Sequence, residues 1–218
     1  VACDVSNQKE ILNLLSKIHE EISGIKIGLQ YITQCSPEEI RQLGKFNKPI
    51  FYDGKFFDIK NTLIKSVKSL KELNVSYATV HLLNGYEALK AANDVAKEIN
   101  INLLGVSVLT SFNNSELEEL GFKDKIDEQI LRLIKIAVKA NLYGVICSPL
   151  EIKKIKKIAP NLKCFTPGIR QDKDKHEQKR TMNAKQALEE GSDCLIIGRP
   201  ITKGDPKKNI QEILSSLN

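Results

Sequence analysis

No stretch of the 218-residue sequence approaches the roughly 18–20 consecutive apolar residues that span a bilayer, and it does not open on a basic, apolar, small-residue leader. A soluble protein is the expectation. Cysteine is sparse and unpatterned. There are five, an odd number with no Cys-x-x-Cys pair, and Cys3, Cys147, Cys164 and Cys194 sit inside apolar runs where a thiol behaves as a small hydrophobe. Reduced thiols, a cytoplasmic location and the absence of a zinc site follow as expectations. Arginine is also scarce, only five of the 33 basic residues. The formal charge of +6 comes mostly from lysines such as Lys153, Lys154, Lys156 and Lys157, scattered on helical faces without interleaved aromatics. That pattern reads as a solvated surface, with no nucleic-acid partner expected. A modest positive field still favours the approach of a phosphorylated small substrate.

No Gly-x-Gly-x-x-Gly follows the first apolar run, which argues against a dinucleotide-binding sheet, and no repeat, linker or low-complexity segment divides the chain. Its length and 41% hydrophobic content suit one core, so residues 1–218 are expected to form a single domain.

What is present is alternation. Short apolar runs at 1–4, 25–29, 49–53, 77–81, 103–108, 144–147, 163–166 and 194–197 read as strands. Amphipathic stretches at 9–21, 37–43, 59–73, 86–99, 126–140, 150–158, 183–190 and 207–217 read as the helices between them. Asn141, Gly191 and the Ala159-Pro160 pair stand where helices should stop. Eight such units predict an α/β fold, a (β/α)8 TIM barrel.

In a barrel of this kind catalytic groups come from the carboxyl ends of strands. Collected there are Asp4, Lys26, Asp53 with Lys55, His81 and Thr110, and Asp58 follows where the next helix begins. Asp53 and Lys55 are two apart in an extended run, so both side chains should face the barrel mouth. Buried charges are costly unless paired, which predicts that Lys26, Asp53, Lys55 and Asp58 form one alternating network. Three of the five arginines, Arg170, Arg180 and Arg199, fall after strands seven and eight, where this fold often binds phosphate. Gly198 would let the backbone approach a ligand there. The polar stretch 167–181 has the length and composition of a lid. His81 reads as a structural residue, His19 and His176 join no constellation, and Tyr31, Tyr52 and Tyr77 read as packing residues.

The segment Asp53-Gly-Lys-Phe-Phe-Asp-Ile-Lys-Asn-Thr62 resembles the Asp-x-Lys-x-x-Asp-Ile-x-Asn-Thr signature of the orotidine 5'-monophosphate decarboxylase family. Further segments resemble that family in the same order: Lys26-Ile-Gly, Leu109-Thr-Ser, Thr166-Pro-Gly-Ile-Arg170, Gln178-Lys-Arg180 and Ile197-Gly-Arg-Pro200. Within the signature the family commonly has leucine and often histidine where this chain has Gly54 and Phe57, which implies altered packing but retained activity.

The resemblance implies decarboxylation of orotidine monophosphate to uridine monophosphate with no metal and no organic cofactor. It makes Lys55 the proton donor, with Asp53 beside the substrate carboxylate and Asp58 and Lys26 completing the charge network. It implies that Asp4 and Lys26 contact the ribose, Thr110 the pyrimidine, and Gln178, Gly198 and Arg199 the phosphate, with Arg170 also at the substrate. A homodimer is implied, in which Asp58, Ile59 and Thr62 complete the partner's site. The nearest alternative is a magnesium-dependent phosphosugar enzyme of the same superfamily, a keto-gulonate phosphate decarboxylase or a hexulose-phosphate synthase, which shares Asp-x-Lys-x-x-Asp. A catalytically silent nucleotide-binding barrel is the alternative from another class.

Overall fold

The structure, a computed structural model, describes residues 1–170 and 181–217. Its strands are β1 (Ala2–Cys3), β2 (Ile25–Ile27), β3 (Ile50–Phe56), β4 (Tyr77–His81), β5 (Asn102–Val106), β6 (Gly144–Ile146), β7 (Lys163–Thr166) and β8 (Cys194–Leu195). They lie side by side in sequence order, and every adjacent pair is parallel. Ala2 N donates to Ile197 O at 2.8 Å, which brings the end of the last strand back to the first. This is the (β/α)8 barrel.

The outer layer consists of α1 (Gln8–Ile18), α3 (Pro37–Gln42), α4 (Lys60–Ser69), α5 (Tyr86–Glu98), α7 (Ile126–Lys139), α8 (Ile152–Ile158), α9 (Ala184–Glu189) and α11 (Pro206–Ser215). Their starts are written in the sequence. Asn7 and Asn183 accept from the third amide of α1 and α9, Ser36 and Glu39 form a reciprocal capping box, and Asp205 caps α11. Their ends are too: Asn141 (φ 55°) and Gly191 (φ 104°) take the left-handed conformation just past α7 and α9.

Three short helices were not expected: α2 (Leu29–Gln34), α6 (Asn114–Glu119) and α10 (Arg199–Thr202). Each buries a single side chain, Tyr31, Leu117 or Ile201, so none carries a repeating apolar stripe for the eye to find. The other correction is strand three. It was expected to stop at Asp53 and instead runs to Phe56, carrying two charged residues inside the sheet.

Alternation along the strands divides the apolar residues into two sets. Ile25, Ile27, Ile50, Ala78, Val80, Leu103 and Val145 belong to the core beneath the helices. Phe51, Leu104 and Phe165 form a separate cluster with Tyr77, Ile146, Cys194 and Ile196, which fills the barrel's interior. Phe165 touches three aromatic rings there: Phe51, Tyr77 and Tyr143, with centroids 6.1, 5.4 and 6.4 Å away. The plug forms a solid floor on which polar groups at the strand ends can stand. Phe165→Ala should therefore destabilise the fold by about 3–5 kcal/mol in urea denaturation; a loss under about 1 kcal/mol would mean the interior is not packed as described.

Candidate active site

Three neighbouring strands, β1, β2 and β3, contribute four residues to one chain of charges. Lys26, flanked by the outward-facing Ile25 and Ile27, points into the barrel and reaches Asp53 Oδ2 at 3.2 Å and Asp4 Oδ1 at 3.5 Å. Lys55 Nζ lies 2.9 Å from Asp53 Oδ1. The order along the chain is thus Asp4, Lys26, Asp53, Lys55, with signs alternating. Asp53 is buried, and burial by itself would push its carboxyl up. The Lys26 and Lys55 ammoniums, with hydrogen bonds from Lys55 and Thr79, outweigh burial and hold it below the usual carboxylate value.

Lys55 does not meet Asp53 through simple alternation of a pleated strand. Tyr52 pairs with Ala78 and Phe56 with Val80, so four residues of β3 pass two of β4. The surplus forms a bulge. Within it Lys55 has φ 47°, while the other non-glycine residues with positive φ among those described are all asparagines. Asparagine tolerates that region, whereas for other residues it costs roughly 1–2 kcal/mol. The Lys55 amide donates to Thr79 Oγ1 at 2.8 Å, and Thr79 Oγ1 donates to Asp53 Oδ1 at 2.9 Å. Thr79 was not singled out from the sequence. The available signal was a hydroxyl two residues from Tyr77 and from His81, hence on the inward face of an otherwise apolar strand.

A cavity of about 250 Å³ opens above this network. Asp4, Lys26, Asp53, Lys55, Thr110, Arg170, Gly198 and Arg199 all line it, together with apolar Val106, Val108, Leu109, Ile146 and Ile196. One wall is therefore charged, one apolar, and one carries the arginines after β7 and β8. A larger cavity of about 540 Å³ lies at the opposite end of the strands, walled mostly by apolar and aromatic side chains such as Phe51, Tyr77, Tyr143, Phe165 and Leu214. Size favours the second, but the converging charges make the first the candidate site.

The remaining expected residues are placed differently. Within the chain Asp58 lies apart from these charges: its Oδ1 accepts from the Ile59 amide at 2.7 Å, and its own amide donates to Asn84 Oδ1 at 3.1 Å. The bulge ends before Asp58, so its carboxylate turns outward, and Asp4 is the second aspartate on the chain of charges. Ile59 and Thr62 are likewise exposed and outside the cavity. Gln178, Arg180, His176 and most of the expected lid lie outside the described residues. His81 serves its own turn, accepting from Leu83 N through Nδ1 at 3.3 Å, and burial lowers its imidazole pKa. Among the described residues no group of three or more His, Cys, Asp or Glu side chains is arranged to hold a metal ion. All five cysteines are free thiols, and no helix among the described residues is long and apolar enough to cross a membrane.

Residues 1–213 match the model of the Orotidine 5'-phosphate decarboxylase / HUMPS family. The chain belongs to this family. It is 36% identical to an orotidine 5'-phosphate decarboxylase of Wolbachia pipientis, over 99% of this chain and 96% of that protein. It is 38% identical to one of Legionella pneumophila strain Corby, over 100% and 96%. The crystal structure of orotidine 5'-phosphate decarboxylase from Lactobacillus acidophilus superposes with a TM-score of 0.87 at 33% identity, over 100% of this chain and 97% of that one.

Membership gives the two departures in the signature a physical setting. A Cβ on Gly54 would lie 2.7 Å from Tyr52 Cε1, because the Tyr52 ring stacks on Phe56 at 5.7 Å with planes 15° apart. The stack occupies room that a side chain at position 54 would need. Phe57 is exposed and packs its ring against His81, centroids 5.5 Å apart.

The depressed Asp53 pKa has a consequence for stability. Because it lies below the unfolded value of about 3.9, the carboxylate's contribution is fully present above that pH and is lost as pH falls through the depressed value. The stability difference between wild type and Asp53→Asn should be constant from pH 7 to 5 and shrink only in more acid solution. Denaturation series across that range check it; a difference already changing between pH 7 and 5 would count against a carboxylate held ionised by the two lysines.

Proposed function

We propose that the chain decarboxylates orotidine 5'-monophosphate to uridine 5'-monophosphate, the last step of de novo pyrimidine nucleotide synthesis. It would work without metal or organic cofactor, as a cytoplasmic, single-domain homodimer acting on a small nucleotide. The observation that carries this reading is the alternating chain of charges ending at Lys55 on a cavity whose far wall holds arginines.

The chemistry asks for two things at one atom. As the bond from ring carbon six to the carboxylate breaks, its electron pair stays on a vinyl-type carbon with no easy delocalisation, and carbon dioxide leaves. The Lys55 ammonium stabilises the developing charge and then gives a proton to that carbon, and solvent later restores the amine's proton. Asp53 sits beside the substrate's own carboxylate, where like-charge repulsion is relieved as carbon dioxide departs. Lys26 neutralises the other side of Asp53 and, with Asp4, meets the ribose hydroxyls. Thr110 recognises the pyrimidine from the loop after β5. Arg199, Gly198 and Gln178 hold the phosphate, assisted by Arg170, and this remote binding energy orients the reacting end.

Asp58, Ile59 and Thr62 act in the partner's site. Their exposure within the chain supports this, as does the apolar surface around them: Phe57 is 62% exposed and Ile59 74%. Exposed apolar side chains side by side support an interface here.

With purified protein in chelator, the loss of orotidine monophosphate absorbance should be rapid for wild type and reduced by at least about 10²–10⁴-fold for Lys55→Ala. An inactive wild type would sink the assignment. Mixing subunits tests the shared site. Lys55→Ala and Asp58→Ala proteins, each inactive alone, should regain about a quarter of wild-type activity after exchange, because half the random dimers carry one intact site of two. No recovery despite subunit exchange would place Asp58 in its own chain's site.

A further inference from the structure

The buried hydroxyl of Thr79 bridges the strained backbone of Lys55 and the carboxylate of Asp53. Thr79 is 0% exposed in the middle of β4 and points into the barrel. Its hydroxyl is used in both directions, accepting from Lys55 N at 2.8 Å and donating to Asp53 Oδ1 at 2.9 Å. A hydroxyl has one proton to give, so accepting from the amide leaves that proton for the carboxylate and fixes the direction of both bonds.

The position of these bonds matters more than their number. At the bulge the regular pairing of β3 with β4 lapses between the Tyr52 and Phe56 pairings, and there the Lys55 amide donates to a side chain, the Thr79 hydroxyl. An amide left unpaired in a partly buried site is costly. Thr79 supplies an acceptor at the one residue whose positive φ, 47°, is not borne by asparagine or glycine among those described. The same oxygen fixes the Asp53 carboxylate that the Lys55 ammonium touches at 2.9 Å. Backbone and head group of Lys55 are thereby anchored at two points through one side chain.

We propose that Thr79 is a positioning residue. It keeps the bulge in the conformation that turns Lys55 into the cavity, and it locks the Asp53 rotamer that receives the ammonium. It does not touch the reacting atoms. The inference rests on the decarboxylase reading and names a determinant of kcat that lies behind the charged residues.

Steady-state kinetics on orotidine monophosphate for wild type, Thr79→Val and Thr79→Ser test it, with uridine monophosphate titrated calorimetrically into each. Valine keeps the shape and removes both hydrogen bonds; serine keeps the hydroxyl. Thr79→Val should lose about 10–100-fold in kcat, the scale of a displacement near 1 Å at a reacting group. KM and uridine monophosphate affinity should move less than about threefold, since the phosphate and ribose contacts stay in place. Thr79→Ser should recover kcat to within about threefold of wild type. Thr79→Cys, which offers only a weak donor and acceptor, replaces the valine variant if that chain does not fold, and the same kcat loss is expected of it. An active wild type with Thr79→Val or Thr79→Cys equal to it in kcat overturns the role of Thr79 alone. So does a serine variant as impaired as valine, or a loss appearing in KM with kcat intact. An inactive wild type overturns instead the functional reading beneath it.

Discussion

A carboxylate buried between two ammoniums is the constraint around which this barrel's mouth is built. Taking Asp53 out of water would cost several kcal/mol were it alone. Lys26 at 3.2 Å and Lys55 at 2.9 Å make it tolerable. Each partner comes from a different position on the sheet, so satisfying Asp53 requires β2, β3 and β4 to hold their register. The bulge that brings Lys55 round and the threonine that closes the bulge are consequences of the same requirement. Once Asp53 must be ionised and buried, the local backbone has little freedom left.

The rest of the barrel provides conditions for that cluster. Below it, rings from Phe51, Tyr77 and Phe165 pack edge to face or tilted against one another in the barrel's interior. Above it, the cavity has a charged wall from the early strands, an apolar wall from β5 and β6, and arginines from the loops after β7 and β8. The proposed substrate, with an anionic group at one end, a flat ring in the middle and a reacting carboxylate, would meet each of those surfaces in turn. Binding at the far end can then be used to hold the reacting end still, which is the advantage of separating the two.

The fold was legible because each βα unit announces itself locally. Apolar runs recur eight times, four of the outer helices open on an Asn, Ser or Asp cap, several elements close on a left-handed Asn or Gly, and the strands appear where the runs are. What was not legible has a common cause: α2, α6 and α10 are too short for periodicity to show, and β3 looked finished at its first charge. A strand that continues through Asp53 and Lys55 makes sense only once Lys26 and Thr79 from neighbouring strands are known to be there.

The sequence by itself determined which residue types stand at the strand ends, because identity and order along the chain are one-dimensional facts: Asp4, Lys26, Asp53, Lys55, Thr110 and the arginines after β7 and β8. Tertiary structure decided which of them meet. It put Asp4 on the chain of charges beside Lys26, turned Lys55 through a bulge that no pattern of alternation encodes, and recruited Thr79 from a strand that reads as plain core. Spacing along one strand fixes only the face a side chain starts from. Curling eight strands into a closed barrel brings residues tens of positions apart within 3 Å, and the cost of burying charge then selects the partners.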